Sequence, residues 1–176
     1  MKKRAVFVDR DGTLIVDQVY ARDPSAVRLI PGAAEALVRL RAAGYAIVLI
    51  SNQAGVGRGI IRPQDVEAVH ERMVADLAAV GATLDAAYYC HHAPVDGCPC
   101  RKPRPGLFVT AIAEHDLEPG GSFMVGDKMT DIEAARAAGC DGILLASDDA
   151  EARPDVARAR AWPDAVAWIL SRSASF

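Results

Sequence analysis

The feature that most restricts the fold is an alternation of short apolar runs with stretches at helical spacing. Lys3 to Val8, Tyr45 to Ile50, Leu84 to Tyr89, Ser122 to Val125 and Gly142 to Leu145 read as buried strands. Ala33 to Ala43, Pro63 to Val80, Pro105 to Asp116 and Thr130 to Ala138 read as the helices between them, and Asp164 to Ser171 as a closing helix. In the second of these helices, Val66, Val69, Met73, Leu77 and Val80 form one apolar stripe. Pro31-Gly32 leads into the first helix, and Gly44 and Gly139 follow helix ends. Such alternation predicts βαβ units, and hence an α/β fold with a parallel sheet and helices on both faces. Functional groups are then expected at the carboxyl ends of the strands. The alanine- and arginine-containing stretch after Asp148 reads as surface helix or linker.

Size and charge narrow the partners. A chain of 176 residues that is 51% hydrophobic suits one domain over 1–176. Its formal charge of −3 offers no whole-protein attraction to nucleic acid or an anionic membrane, so a phosphate-bearing ligand must be drawn by local donors. That points to a small molecule. The longest apolar run, Tyr45 to Ile50, falls far short of the roughly 18 residues of a membrane span. After Lys2, Lys3 and Arg4, the apolar run Ala5 to Val8 is too short for a secretory core of about 7–15 residues. A cytoplasmic location is therefore expected. With no sustained exposed apolar stripe, so is a monomer.

Asp9-Arg10-Asp11-Gly12-Thr13 follows directly on the first strand. Residues two apart in extended chain point the same way, and Gly12 allows a sharp turn. Two adjacent carboxylates repel unless a cation compensates, and magnesium suits hard oxygen ligands while keeping positions for substrate oxygens. One carboxylate can then attack phosphorus while the other trades protons with the leaving oxygen and with water. A bare Asp-x-Asp is more often a solvated turn, and its company decides the matter. Ser51-Asn52-Gln53 places a hydroxyl and amides after the second strand, Arg101-Lys102-Pro103 supplies two cations before a helix, and Gly126-Asp127-Lys128 adds an acid at a strand end, with Asp131 one turn on.

These four segments, Asp9 to Thr13, Ser51 to Gln53, Arg101 to Pro103 and Gly126 to Asp131, resemble in order the motifs of the haloacid dehalogenase (HAD) superfamily. The resemblance implies a Rossmann-like fold and a phosphoaspartyl intermediate on Asp9, with Asp11 as general acid and base. It also implies Mg²⁺ held by the Asp9 carboxylate, the Asp11 backbone carbonyl and Asp127. Ser51 and Lys102 would hold the phosphoryl oxygens, in chemistry that is mostly positioning and charge neutralisation. An aspartate at position 11 favours phosphate-ester hydrolysis over dehalogenation.

A second cluster, Cys90-His91-His92 to Cys98-Pro99-Cys100, reads C-x-H-x₅-C-x-C. Cys90, His92, Cys98 and Cys100 make a closed set of the kind zinc uses structurally, with His91 as an alternative nitrogen ligand. In a reduced compartment such spacing reads as metal ligation before disulfide. The loop 90–100 ends directly before Arg101-Lys102, so fixing it would orient two cations at the phosphate site. Within the superfamily it resembles the zinc-loop phosphatases that carry no large cap domain, whose substrates are heptose 1,7-bisphosphate or histidinol phosphate. Asp17-Gln18-Val19-Tyr20 resembles the D-x-x-Y segment of the heptose enzymes, although Gln18-Val19 departs from their commoner residues. That likeness implies substrate contacts from Asp17, Gln18, Val19, Tyr20, Ser51, Asn52, Gln53, Ala54, Arg101, Lys102 and Lys128. It further implies removal of the C7 phosphate on the way to a nucleotide-activated heptose for lipopolysaccharide core or a related glycan.

Other residues carry less. His70 and His115 read as surface residues, Cys140 as a small buried apolar residue, and Trp162 and Trp168 as packing anchors. Gly55 to Gly59 lacks the Lys-Ser/Thr ending of a P-loop, and Arg58 within it reads as a substrate-facing cation.

Overall fold

The computed structural model describes residues 2–146 and 153–173. In chain order its elements are β1 (Lys3–Val8), α1 (Ala33–Ala42), β2 (Ala46–Asn52), the single turn α2 (Ala54–Gly57), α3 (Pro63–Ala78), β3 (Ala86–Cys90), α4 (Gly106–Glu114), β4 (Leu117–Gly126), α5 (Met129–Ala137), β5 (Asp141–Leu145), β6 (Ala157–Ala159) and α6 (Trp162–Ser173). All six strands run parallel in the order β3-β2-β1-β4-β5-β6. Chain order reverses at β1, whose carboxyl end is therefore the expected ligand crevice.

The central strands are apolar throughout because both of their faces are covered. Val6 and Val8 of β1, with Ile47, Leu49, Phe123 and Val125 of its neighbours, join α1, α3 and α6 in one core. Ala5 and Phe7 point the other way with Val48, Ile50 and Met124, packing on Leu107, Phe108 and Ala111 of α4 and Ala134 and Ala135 of α5. Phe7 and Phe108 meet with ring centroids 4.9 Å apart. Trp162 is fully buried as expected, and its indole N–H donates to the Thr13 carbonyl at 2.9 Å, tying α6 to the loop after β1. Trp168 lies edge-on to Phe123 at 5.5 Å, and Cys140 is buried.

Three local expectations change. β4 begins at Leu117, five residues earlier than the apolar pattern suggests, and runs through Pro119-Gly120-Gly121. A register shift against β1 absorbs these residues, with Gly121 at φ 81°, and the Ser122 hydroxyl accepts the Ala5 N–H at 2.8 Å where the ladder is interrupted. The stretch expected as surface helix or linker contains β6, because Ala157–Ala159 pairs with Ile143–Leu145 and that edge overrides the alanine preference. Residues 148–152 of that stretch lie outside the described residues. His70 is half-buried rather than a surface residue, with its Nδ1 2.8 Å from the Tyr89 hydroxyl oxygen.

Among the described residues, loops and a 3₁₀ turn fill the space between β1 and α1, and no cap domain is inserted there. No described helix is long and apolar enough to cross a membrane.

Candidate active site

The site forms where β1, β2 and β4 end. Asp9 continues β1, its N–H donating to the Val125 carbonyl at 3.1 Å, so its carboxylate is carried by the buried end of a central strand. The chain then folds back, as Leu14 and Ile15 both donate to the Arg10 carbonyl, at 2.9 and 3.0 Å. Gly12 permits this turn with φ 81°, and a Cβ there would lie 2.3 Å from Asp127 Oδ2. Gly12→Ala is therefore expected to displace Asp127, destabilise the fold by about 2 kcal/mol and suppress activity. Thermal melts and phosphate release would check both effects, and a fully active, equally stable variant would contradict the close approach.

Lys102 sits at the centre, almost fully buried, with its Nζ 2.9 Å from Asp9 Oδ1, 2.6 Å from Asp131 Oδ1 and donating to the Ile50 carbonyl at 2.7 Å. Burial opposes its charge, but Asp9 and then Asp131 outweigh that, so its pKa is raised and the ammonium persists. The Asn52 side chain brackets the Lys102 backbone, its Nδ2 donating to the carbonyl and its Oδ1 accepting the N–H, both at 3.1 Å. Asn52 thereby holds the lysine segment against the end of β2.

Asp9, Asp127 and Asp131 bring their carboxylate oxygens within 4.8 Å of one another. Lys102 compensates Asp9 and Asp131 directly, whereas Asp127 has only the exposed Lys128 ammonium, 3.6 Å from its Oδ2. Burial, with Asp9 and Asp131 adding and Lys128 opposing, pushes Asp127 up to about 6, and its Oδ1 is buried without a hydrogen bond. An orphaned buried acceptor facing other carboxylates fits a hard dication. From sequence, Asp131 stands in the fourth motif without a specific role. It doubles as the capping carboxylate of α5, accepting the Lys128 N–H at 3.0 Å, and its spacing after Lys128 resembles any capping box.

Ser51 and Gln53 are buried beside Asp11. The Gln53 amide donates to Asp11 Oδ2 at 2.7 Å and to Ser51 Oγ at 3.0 Å, while its Oε1 accepts from Arg10 Nη2 at 2.9 Å. Because Ser51 Oγ accepts from Gln53, its own proton remains available to a ligand.

Beyond these groups lies a cleft of about 240 Å³ lined by Asp11, Asp17, Val19, Tyr20, Asn52, Gln53, Ala54, Arg58, Arg101 and Lys128. The expected contact residues Asp17, Val19, Tyr20, Ala54, Arg101 and Lys128 thus share one wall system, whereas Gln18 faces an adjoining surface pocket and donates to the Ala26 carbonyl. Val19 and Tyr20 both have positive φ, 42° and 62°, an arrangement uncommon for these residues. The turn is held by Val19 N–H donating to Asp17 Oδ1 at 3.0 Å and by Arg58 Nη1 donating to the Tyr20 hydroxyl at 2.5 Å. Gly55 lets Tyr20 approach, since a Cβ there would lie 2.5 Å from the ring.

The second cluster gathers as the spacing suggests. Cys90, Cys98 and Cys100 sulfurs are 3.3 to 3.6 Å apart, and His92 Nδ1 lies 3.2 Å from Cys100 Sγ and 3.7 Å from Cys90 Sγ. A zinc tetrahedron with 2.3 Å Zn–S bonds has S–S edges of about 3.8 Å, so the donors fit such an ion with small adjustment. Burial and hydrogen bonding to Cys100 push the Cys90 thiol up to about 12, a cost that a dication would reverse. His91 faces away from this set and stacks on Tyr89 at 6.2 Å. The loop is locked to its surroundings by Gly57 N–H donating to His91 O at 2.8 Å and by Arg104 donating to the Gly97 and Cys98 carbonyls.

Comparison with known proteins identifies the family. A HAD-hydrolase-like family model matches residues 99–172. The D-glycero-beta-D-manno-heptose-1,7-bisphosphate 7-phosphatase of Pasteurella multocida is 43% identical over 149 residues, covering 81% of each chain. The D-glycero-D-manno-heptose-1,7-bisphosphate 7-phosphatase of Thermosynechococcus vestitus is 44% identical over 156 residues, 82% of this chain and 80% of that one. The crystal structure of D,D-heptose 1,7-bisphosphate phosphatase from B. bronchiseptica, complexed with magnesium and phosphate, superposes with a TM-score of 0.85 at 30% identity, covering 96% of this chain and 99% of that one. Identity at this level over nearly whole chains, joined to the same fold, means that this chain belongs to the D-glycero-D-manno-heptose-1,7-bisphosphate 7-phosphatase family of HAD-like hydrolases.

Proposed function

We propose that the chain is a Mg²⁺-dependent phosphatase that hydrolyses the C7 phosphate of D-glycero-D-manno-heptose 1,7-bisphosphate. The observation that carries this reading is the placement of Arg58, Arg101 and Lys128 around the cleft, beyond the buried Asp9–Lys102 centre. Cations there suit a substrate that keeps a second phosphate while the first is transferred. Histidinol phosphate would instead bring an ammonium group into a cleft where three cations, Arg58, Arg101 and Lys128, outnumber the carboxylates of Asp11 and Asp17.

In this reading an Asp9 carboxylate oxygen attacks phosphorus, the bond from phosphorus to the C7 oxygen breaks, and that oxygen takes a proton from Asp11. Water then attacks the phosphoaspartate, giving its proton to Asp11 and releasing inorganic phosphate with Asp9 restored. Lys102 and the Ser51 hydroxyl hold the phosphoryl oxygens, and Asn52 fixes the lysine backbone for that task. Mg²⁺ would be held by Asp9, the Asp11 carbonyl and Asp127, where it would neutralise charge gathering on the phosphoryl group. Zn²⁺ would be held by Cys90, His92, Cys98 and Cys100 as a structural staple with no open position for substrate.

The test is phosphate release from both anomers of the heptose bisphosphate beside histidinol phosphate. A kcat/KM preference for heptose bisphosphate of about 100-fold or more is expected from two or three charge-assisted bonds to the retained phosphate. Dominant turnover of histidinol phosphate would refute the assignment.

A further inference from the structure

Arg10 is a fully buried arginine between the two carboxylates assigned to chemistry, yet it does not itself line the cleft and sits behind Asp11 and Gln53, which do. Its Nε and Nη2 lie 3.1 and 3.0 Å from Asp11 Oδ2, and Nη2 also donates to Gln53 Oε1 at 2.9 Å. Gln53 closes the triangle through its Nε2, which donates to the same Asp11 Oδ2 at 2.7 Å. The amide can face only this way, because arginine offers only donors and an ionised aspartate only acceptors. Two N–H groups therefore donate to Oδ2, with Arg10 Nη2 paired beside it by charge, while Asp11 Oδ1 is buried with no partner.

The far side of Arg10 meets aromatic rings, with its Nη1 buried and without a hydrogen-bond partner. Its guanidinium carbon lies 5.8 Å from the centre of the Tyr89 ring, Tyr89 stacks on His91, and the Tyr89 hydroxyl oxygen is 2.8 Å from His70 Nδ1. The guanidinium thus has a floor of aromatic rings and a ceiling of Asp11 and Gln53.

We propose that Arg10 and Gln53 are positioning residues that clamp one carboxylate oxygen of Asp11 and thereby aim the other, Oδ1, at the oxygen leaving phosphorus. This rests on the reading of Asp11 as proton donor in the proposed phosphatase reaction. A free carboxyl group can rotate about its Cβ–Cγ bond and present either oxygen, and the clamp removes that freedom before substrate arrives. It also accounts for the burial of Gln53, which a residue serving mainly as a substrate contact would not need. Gln53 has a second consequence through its bond to Ser51 Oγ, which occupies an acceptor position of the serine and leaves its proton free to be donated elsewhere.

The experiment compares two substrates that differ in their need for a proton donor. Heptose 1,7-bisphosphate releases an alkoxide-type oxygen and needs protonation, whereas p-nitrophenyl phosphate releases a stable phenolate. kcat/KM reports the steps through transfer to Asp9, so any loss arising at Ser51 affects both substrates and cancels in their ratio. Asp11→Asn serves as the reference, Gln53→Met removes the amide at similar volume, and Arg10→Lys keeps the buried charge but loses the two-point grip. For Gln53→Met and Arg10→Lys, the heptose-to-nitrophenyl ratio of kcat/KM is expected to fall at least about 10-fold, part of the roughly 10²–10⁴-fold that a proton donor supplies. An Asp11→Asn protein with a large selective loss, beside a Gln53→Met protein that folds with the ratio unchanged, would overturn the clamp alone. An Asp11→Asn protein with no selective loss would overturn both the donor assignment and the clamp built on it.

Discussion

Asp9→Asn is expected to abolish phosphate release while leaving the protein folded and at least as stable as the parent. Removing a nucleophile that acts as a unit with its partners costs at least about 10⁴-fold in kcat, since the remaining charges can only bind and orient. Stability should not follow activity, because Asp9 belongs to a crowded group with Asp127 and Asp131. Burial and these neighbours already push Asp127 up to about 6, so taking away one carboxylate relieves repulsion. Lys102 would keep Asp131 at 2.6 Å and the Ile50 carbonyl at 2.7 Å, so its buried charge stays paired. A metal-free melting temperature within about 3 °C of the parent, or above it, corresponds to a change of no more than about 1 kcal/mol in the unfavourable direction. Retained turnover would remove Asp9 as nucleophile. A collapse of the fold would show that the Asp9–Lys102 pair is mainly structural.

The second large effect concerns a residue that touches no substrate. Cys98→Ser should lower bound zinc, measured as moles of metal per mole of protein, and lower kcat by about 100-fold even with saturating Mg²⁺. The cause is mechanical. Cys100 is covalently continuous with Arg101 and Lys102, and Lys102 Nζ is placed within 2.9 Å of Asp9 only while that segment holds its course. A drift of an ångström at the loop moves the ammonium out of reach of the phosphoryl oxygens. The melting temperature should also fall by about 10 °C, from the loss of a metal-linked contribution of about 3 kcal/mol. A variant without zinc that retains full kcat would show that Asn52, which brackets the Lys102 backbone, is sufficient to hold the lysine.

The layers of this fold are legible in the sequence because strands buried on two faces must be apolar at every position. Five of the six strands and the five longer helices follow from that pattern and from the glycines and prolines that interrupt it. β6 does not, since a short alanine- and arginine-containing segment becomes a strand only when the free edge of β5 is there to receive it. The same contrast runs through the site. Asp9, Ser51, Lys102 and Asp127 are recognisable because reactive groups at strand ends and helix starts carry a local signal. Arg10, Gln53 and Asp131 act through contacts between elements far apart in the chain. From sequence Gln53 reads as a substrate contact and Asp131 as the last residue of a motif, while Arg10 carries no role of its own. The sequence by itself determined the α/β class, the order of the chemical groups and the cysteine and histidine cluster of the 90–100 loop, all of which depend on periodicity and short spacing. Tertiary structure alone decided which oxygen of Asp11 is free, which carboxylates Lys102 neutralises and where Arg58 meets Tyr20, because hydrogen bonds and burial depend on distances that close only when separate strands are brought side by side.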